Sequence, residues 1–384
     1  MDKTGLYALP DHRVMEDLLP GISQQRVATD EARELIARHP GLVPIAIHPG
    51  DGPGNRPDNR PGQAAAIYFA DIGSAPFVEW KHIYTIQRLA ETGRIERFFA
   101  TDLALLDQPL PVADGMEPDG LLLHVSRCGS TLFCKALARL ESNMIINQGG
   151  PLQSGFWAAL TDHWHKPLEA TDENIARLRR LVHLLTRRRN GDFERCFVKF
   201  ISWNTVYADF IRAAFPDSHA LYLYRDPAEV LANVLQETTA ALHARGTPLA
   251  GVLTGLPGET TAAMDDIDFL AHCYAHYYAV VAERAEALSL GLVNYRNMRR
   301  PECFAAVLER GLDWRPDEAT LDRMRAQFAF YSKDDSNSTR YRGEPDLEDA
   351  LGADGRERVD AIAGAQARAL DRSAQNLFGR RNQA

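Results

Sequence analysis

From about residue 120 onward, short apolar runs alternate with longer segments of helical periodicity. The apolar runs predict strands at Leu121–Val125, Phe197–Ile201, Ala220–Tyr224 and Gly291–Tyr295. The helical spacing predicts helices at Leu132–Leu140, Asp172–Arg189, Thr205–Phe215, Ala228–Ala244, Asp266–Ala287 and Cys303–Glu309. Strands that alternate with helices in this way are typical of βα units around a parallel sheet, whose strands are buried on both faces. We therefore predict an α/β domain of three layers with a central, mainly parallel sheet.

The chain before this domain has a different pattern. The turn-rich segment PLPVADGMEPD, residues 109–119, separates the two parts, and we place a boundary near residue 115. Residues 1–115 then form a small N-terminal α+β unit of unknown role, and residues 116–384 form a nucleotide-binding domain. Within the N-terminal unit we expect a long exposed loop at Pro49–Gly62, a strand at Ala64–Ala70, and helices at Ile83–Leu89 and Ile95–Leu106.

Composition narrows the classes of protein to consider. The 384 residues are 45% hydrophobic and 25% charged, which is typical of globular domains. The net charge of -9 argues against non-specific binding to nucleic acid, because such binding needs a surplus of Lys and Arg. The five cysteines are scattered, with no CxxC pair, which favours reduced thiols in the cytoplasm. No apolar run has the length of about 18 residues that a membrane span needs, and we expect neither a span nor a secretory leader.

The most informative segment is LLLHVSRCGSTLFCKALARL, residues 121–140. A strand, a loop of small residues and a helix N-terminus together direct backbone N–H groups and the positive end of the helix dipole at one point, where an anion binds well. Gly129 permits close approach of the backbone, Ser130 and Thr131 add hydroxyl groups, and Arg127 adds a charged fork suited to phosphate or sulfate. The alternative is an exposed arginine followed by an ordinary helix cap.

A second strand-to-helix junction lies in ALYLYRDPAEV, residues 220–230. Asp226 and Pro227 are explained by helix initiation alone, since Asp is a good N-cap residue and Pro a good first residue. Arg225 is not explained in this way. It places a cation at the carboxyl end of a strand, where open α/β sheets bind their ligands.

These residues resemble a known family. The run Arg127-Cys128-Gly129-Ser130-Thr131-Leu132 is similar to the 5′-phosphosulfate loop of sulfotransferases that use 3′-phosphoadenylyl sulfate (PAPS), above all the bacterial branch, which has Arg where animal cytosolic enzymes have Lys. The resemblance implies that this loop holds the 5′-phosphate and the sulfuryl group. It also implies that Arg225 binds the 3′-phosphate, with Asn233 at a position where the family has Ser.

The resemblance extends over roughly residues 120 to 345. Lys199, in the segment RCFVKFISWN, resembles the lysine near the donor sulfate, although a lysine whose stem crosses a sheet edge is the alternative. The segment YSKDDSNSTRYRG resembles the family's late loop, which implies that Arg340, Arg342 and Gly343 close over the 3′-phosphate. Arg127 and Lys199 are the candidate catalytic residues, because positioning and charge stabilisation dominate transfers of this kind.

The implied activity is transfer of a sulfuryl group from PAPS to a hydroxyl or amine of a small molecule, carbohydrate or peptide, without a metal. A homodimer is compatible with this interpretation. The catalytic base is unassigned. Animal cytosolic sulfotransferases have a histidine base where this chain has Ile201. The tyrosylprotein sulfotransferases have a glutamate base in the region where this chain has Asn147-Gln148-Gly149-Gly150. His124, His163 and His165 are substitutes to consider.

Two other functions remain open. A kinase-like phosphotransferase would use Asp226 as a magnesium ligand, but the string GxxxxGK[ST] is absent. A degenerate domain that binds a nucleotide or a partner without catalysis is favoured by the missing base and by Asn233. His272 and His276 have the spacing of a zinc site, but we interpret them as helix packing.

Overall fold

The computed structural model describes residues 25–51, 64–189, 191–236, 239–341, 343 and 347–379, with the backbone alone for residues 347–349. Most of the predicted loop Pro49–Gly62 lies outside these residues. The described chain contains two β-sheets of four and five strands. A single cluster of buried apolar side chains runs through both.

The first sheet belongs to the N-terminal part of the chain. Its strands are β1 (Gln25–Arg26), β2 (Leu42–His48), β3 (Ala66–Asp71) and β4 (Phe98–Asp102), in the order β1-β4-β3-β2. The pairs β2–β3 and β3–β4 are antiparallel, and β1 runs parallel to β4. Helices Thr29–Arg38 and His82–Glu91 accompany this sheet.

The second sheet is entirely parallel and lies at the centre of the molecule. Its strands are β5 (Gly120–His124), β6 (Asn143–Asn147), β7 (Arg195–Lys199), β8 (His219–Tyr224) and β9 (Leu290–Asn294), in the order β6-β7-β5-β8-β9. Every strand neighbour pair is parallel. Helices cover both faces, so the prediction of a three-layer α/β domain with a central parallel sheet is confirmed.

The helices that connect and cover these strands have the following bounds: Ser130–Leu137, Gly155–Leu160, Asp172–Leu185, Ala208–Ala214, Pro227–Leu235, Pro248–Thr254, Gly258–Thr261, Asp266–Arg284, Tyr295–Met298, Pro301–Leu312, Glu318–Arg325, Leu347–Val359 and Ala365–Arg372. The 3₁₀ segments are Leu103–Asp107, Gly150–Leu152, Ser202–Tyr207, Ala240–Ala244 and Ala326–Ala329. A π-helical stretch, Asp360–Gly364, joins the last two helices.

Several predicted elements were wrong in type or extent. The predicted helix Ile95–Leu106 is strand β4 followed by a 3₁₀ turn, because Phe98, Phe99 and Ala100 pair with β3 and bury their side chains in the N-terminal sheet. The predicted helix Asp172–Arg189 ends at Leu185. The predicted helix Ala228–Ala244 stops at Leu235, and a 3₁₀ turn resumes at Ala240. Strands β2 and β6 were not predicted.

The N-terminal sheet packs directly on the central domain. The edge strand β2 lies against Gly150 and Gly155, where a Cβ atom would overlap the carbonyl oxygens of Ile45 and Ile47. Glycine at both positions therefore lets the two backbones approach, and the contact covers an edge that would otherwise be exposed. Since the apolar core is continuous across this contact, the boundary near residue 115 remains a prediction.

Candidate functional site

The two junctions singled out in the sequence are neighbours in space. Strands β5 and β8 pair in parallel with His124 beside Leu223, so the segments that follow them leave the same edge of the sheet. The Arg225 guanidinium donates a hydrogen bond from Nη1 to the carbonyl oxygen of Arg127 at 3.0 Å. Both arginines line one cavity of about 760 Å³.

The loop after β5 has the backbone geometry of an anion-binding turn. Arg127 and Gly129 have φ values of 57° and 81°, in the left-handed region. Gly129 occupies the N-cap position of the helix Ser130–Leu137, and because it has no side chain it leaves the first amides of that helix open toward the cavity. The Tyr295 ring packs against Gly129 so closely that a Cβ atom there would lie 2.9 Å from it. The loop is thus held against the Tyr295 ring, and both line the cavity.

Further contacts hold Arg225 in a buried position. Its Nε lies 2.7 Å from a Glu229 carboxylate oxygen, and its guanidinium stacks over the Tyr295 ring at 4.3 Å from the centroid. Tyr278 donates its hydroxyl to the Arg225 carbonyl at 2.7 Å. A cation that is 3% exposed and oriented in this way is preorganised for a second anion.

Asp226, the next residue, caps the following helix. Its carboxylate accepts hydrogen bonds from the backbone N–H groups of Ala228 and Glu229 at 3.0 and 3.3 Å. This is the arrangement expected of an N-cap aspartate, and it accounts for the residue without a metal.

Lys199 lies beneath the loop rather than in the cavity wall. It is fully buried at the end of β7, and its Nζ donates to the Thr131 Oγ1 at 3.0 Å. Burial lowers the pKa of Lys199, because desolvation penalises its charged form. The structure therefore connects Lys199 to the loop through Thr131.

The cavity wall is basic. It includes five cationic side chains, Lys81, Arg127, Arg225, Arg299 and Lys333, and among the residues that the structure describes no Asp or Glu lines it. The chain as a whole has a net charge of -9, but the described wall of this cavity is positively charged. Such a surface favours a ligand with more than one negative charge.

Most of the predicted binding residues line the cavity, but not all of them do. The run Arg127–Leu132, Arg225, Asn233 and Gly343 all line the cavity. Asn233 donates its amide Nδ2 to the Glu229 carbonyl within its own helix at 2.9 Å. Arg340 is exposed and is not among the lining residues, although its guanidinium stacks at 5.0 Å on Phe330, which does line the cavity. Arg342 lies outside the described residues.

The three histidines considered as a base differ in their place relative to the cavity. His124 lines the cavity, but its ring nitrogens lie 2.8 Å from the Val125 carbonyl and 3.1 Å from the Phe200 carbonyl. Burial lowers the pKa of His124 to about 3, and the nearby Lys199 charge acts in the same direction. His163 contacts the Gly50 carbonyl, and neither it nor His165 lines the cavity.

Other residues of the site were missed by the sequence analysis. Tyr295 and Arg299 follow β9, the neighbour of β8, so they reach the same edge as Arg225. Tyr295 ends the last predicted strand and Arg299 follows it, and this position was the available signal. Trp80 and Lys81 come from the N-terminal unit and also line the cavity, and nothing in their local sequence pointed to it.

Among the described residues, no group of three or more His, Cys, Asp or Glu side chains is placed to hold a metal ion. His272 and His276 both lie on the helix Asp266–Arg284. In the part of the chain that the structure describes, no helix combines the length and the apolar character that a membrane crossing requires.

No family model and no curated protein matches the chain. Among solved structures, it is similar to the crystal structure of sulfotransferase STF9 from Mycobacterium avium, with a TM-score of 0.42 and 13% identity, covering 77% of this chain and 88% of that chain. It is also similar to the sulfotransferase domain from the curacin biosynthetic pathway, with a TM-score of 0.32 and 14% identity, covering 64% of this chain and 97% of that one.

Proposed function

We propose that this protein is a sulfotransferase that moves a sulfuryl group from PAPS to a hydroxyl or amine acceptor. The observation that carries the proposal is the contact between the two junctions, in which the Arg225 guanidinium reaches the Arg127 carbonyl across the ends of β5 and β8. Two anion sites side by side in one basic cavity match a donor with phosphate groups at its 5′ and 3′ ends.

In this proposal the loop binds the 5′-phosphosulfate. The helix amides after Gly129 and the Arg127 guanidinium stabilise the oxygens of the sulfuryl group and of the departing nucleotide. Because Thr131 accepts a hydrogen bond from Lys199, its own hydroxyl proton is left to donate to the donor's oxygens. Lys199 then acts as a positioning residue for Thr131, which refines its predicted catalytic role.

The buried Arg225 binds the 3′-phosphate. Its stacking on Tyr295 and its bond to Glu229 fix the guanidinium before the donor arrives, so little side-chain entropy is lost on binding. Asn233 and Gly343 complete this end of the cavity. Adenosine lies between the two phosphate sites.

The acceptor must lose a proton, and the described wall offers no carboxylate for it. His124 is engaged by two carbonyl groups and its pKa is about 3, so we do not assign it as the base. The protein's own contribution is then positioning and stabilisation of the charge that develops on the donor. An acceptor whose hydroxyl ionises readily, such as a phenol, needs the least further help.

The test is binding of adenosine 3′,5′-bisphosphate, measured by titration calorimetry. We expect Arg127→Ala to lower the affinity more than about tenfold, because a charged hydrogen-bonding partner is lost. Arg38→Ala is the matched control, since it removes an exposed guanidinium of the N-terminal helix. A wild-type protein that does not bind the bisphosphate, or an Arg127 variant that binds it as well as the control, would rule the proposal out.

The absence of a carboxylate from the described wall also favours a second candidate, a domain that binds the nucleotide without catalysis. Transfer of labelled sulfate from PAPS to a panel of phenols separates the two. Transfer supports the enzyme, and bisphosphate binding with no transfer to any phenol supports the binding domain. Asp226 caps the next helix through Oδ1, so helix initiation accounts for this residue without a magnesium site.

A further inference from the structure

Gln148 is the first residue after strand β6, and it lines the cavity. Its backbone N–H donates to the Lys199 carbonyl at 2.8 Å, which places it beside the end of β7. Arg225 follows β8, and the sheet order β6-β7-β5-β8-β9 puts these two strand ends three steps apart. Neighbouring strands are about 4.8 Å apart, so the separation is roughly 14 Å. Gln148 therefore lies away from the proposed 3′-phosphate site.

Two features of Gln148 are unfavourable for the folded protein. Its φ of 50° lies in the left-handed region, which is strained for a residue with a side chain. The residue is 8% exposed, and its side-chain oxygen Oε1 is buried with no hydrogen-bond partner among the described residues. Of the described side chains that carry such a buried, unpartnered atom, Gln148 alone lines the cavity. Strain and an unpaired polar group at one cavity residue are typical of a functional site.

A ligand in the cavity can supply the hydrogen bond that Oε1 of Gln148 lacks. The terminal amide turns about a broad torsion, and a half turn exchanges Oε1 with Nε2, so the oxygen can face the cavity. An amide oxygen accepts from a hydroxyl or an N–H group, whereas ionised phosphate and sulfate oxygens have no hydrogen to donate. The adenosine of the donor lies between the two phosphate sites in the function proposed above. The partner of Oε1 is therefore an uncharged group of the acceptor.

Other uncharged hydrogen-bonding side chains line this side of the cavity. Gln153 donates its Nε2 to the Gln148 carbonyl at 3.3 Å. Ser126, after β5, donates its hydroxyl to the hydroxyl of Ser202, after β7, at 3.1 Å. All four residues line the cavity. Amides and hydroxyl groups that come from three neighbouring strand ends suit an acceptor with more than one hydroxyl group.

We propose that Gln148 determines specificity for the acceptor, and that its amide binds a second hydroxyl of the acceptor, distinct from the one that receives the sulfuryl group. The acceptor is then a diol or a polyol. The proposal rests on the sulfotransferase function proposed above. The second hydroxyl donates to Oε1 only in the complex, so the free protein keeps a buried oxygen without a partner.

The stability of a Gln148→Met variant tests whether the amide serves the fold or a ligand. Methionine is similar in length, needs no hydrogen bond and keeps a side chain on the strained backbone. Without ligand, we expect its urea midpoint to equal or exceed that of wild type, because an unpaired buried oxygen is removed. Gln108→Met is the matched control, since Gln108 is exposed and does not line the cavity. A midpoint below that of the control would assign the amide to the fold and overturn the proposal.

A second experiment compares diphenols with methylphenols, in which a methyl group replaces the second hydroxyl. The pairs are catechol with 2-methylphenol, resorcinol with 3-methylphenol, and hydroquinone with 4-methylphenol, so the second hydroxyl stands at three distances from the first. Dissociation constants are measured by ligand-observed NMR on protein saturated with adenosine 3′,5′-bisphosphate. We expect at least one diphenol to bind about fivefold more tightly than its methylphenol, as one net hydrogen bond would give.

The same variants assign the preference to Gln148. Gln148→Met should remove or reverse it, because the oxygen is lost and the methyl group of the methylphenol gains an apolar neighbour. Gln108→Met should keep it. Equal binding within every pair, no diphenol that binds, or a preference that survives in Gln148→Met would each overturn the proposal.

Bisphosphate binding separates this inference from the function on which it rests. We expect the affinity of Gln148→Met for the bisphosphate to stay within about twofold of wild type, since Gln148 follows β6 and Arg225 follows β8. Loss of bisphosphate affinity in that variant would assign Gln148 to the donor and overturn the inference alone. A wild-type protein that does not bind the bisphosphate would overturn the proposed function instead.

Discussion

Gly129 carries two constraints at one position, a left-handed backbone and a ring packed against its Cα. We expect Gly129→Ala to destabilise the protein by more than Gly73→Ala. Gly73 has a positive φ of 55° with no atom within 4 Å of an added Cβ, so its substitution reports the backbone cost alone. That cost is about 1–2 kcal/mol, and at Gly129 the overlap with Tyr295 adds to it.

Urea unfolding of the two variants measures the difference. Equal destabilisation at the two positions would show that the Tyr295 ring moves away without cost. Loss of bisphosphate affinity in Gly129→Ala alone, with Gly73→Ala binding as wild type, is the accompanying result that we expect.

His82 gives the stability of the protein a dependence on pH. Burial lowers its pKa to about 3, and the nearby Arg189 charge acts in the same direction. The folded state keeps the ring neutral while the unfolded chain takes up a proton near its ordinary pKa, so stability falls as the pH drops from about 6.5 toward 3. His124 has the same pKa of about 3 and adds to the effect.

We expect His82→Phe to weaken this dependence. Phe fills the site beside Phe77, whose ring centroid is 4.8 Å from that of His82, and it does not titrate. Between pH 6 and pH 4 the loss of unfolding free energy should be smaller than in wild type by roughly 2 kcal/mol. Urea unfolding at a series of pH values measures it, and an unchanged slope would contradict the assignment to His82.

At the scale of elements, the arginine run after the helix Asp172–Leu185 joins the two parts of the molecule. Arg187 pairs with Asp114 at 2.9 Å and donates to the carbonyls of Ile36 and His39 at the end of the first helix. Arg189 donates to the Ala75 carbonyl and stacks on Phe77 at 4.7 Å. Burial lowers the pKa of Arg189 to about 10.

We expect Arg187→Met to cost about 3 kcal/mol, because it leaves the Asp114 carboxylate and the helix carbonyls without their partner. Arg188→Met is the matched control, since Arg188 is exposed and its guanidinium donates to the nearby Phe193 carbonyl in the one side-chain bond described for it. Thermal unfolding compares the two. Hydrogen exchange in strand β2 should accelerate in Arg187→Met and not in the control.

The same run shows what local sequence can and cannot predict. The apolar periodicity correctly predicted a helix beginning at Asp172. The arginines at positions 187, 188 and 189 suggested only that this helix ends on cations that complement its dipole. The residues that the arginines contact lie about 75 to 150 positions away, so only the tertiary fold reveals that they hold the N-terminal unit. Strand β6 was missed because its five residues, NMIIN, form too short an apolar run.

For the whole molecule, the parallel sheet was predictable because buried strands of such sheets read as continuous apolar runs. The residues Arg127 and Arg225 were predictable because each follows such a strand. The strand order was not predicted, and it is what brings Tyr295 and Arg299 to the site. Trp80 and Lys81 were not predictable because they reach the cavity from the N-terminal unit, just before the helix His82–Glu91.

The continuous core predicts the behaviour of a shortened chain. Residues 116–384 alone would expose the surface around Gly150 and Gly155 that β2 covers, and would lose the partners of Arg187. We expect the shortened chain to unfold gradually on heating, whereas we expect the full chain to unfold in one cooperative transition. Circular dichroism during heating tests it, and a sharp transition in the shortened chain would instead support an independent domain with a boundary near residue 115.

Four of the five cysteines, Cys128, Cys134, Cys196 and Cys273, are buried. Burial raises the pKa of the Cys128 thiol to about 11, so little reactive thiolate is present near neutrality. We therefore expect alkylation of Cys128 to require opening of the loop after β5, and a ligand that restrains this loop should slow the reaction. The rate at which Cys128 is alkylated, followed by mass spectrometry of the peptide that contains it, thus reports how much of the protein has a ligand bound at this loop.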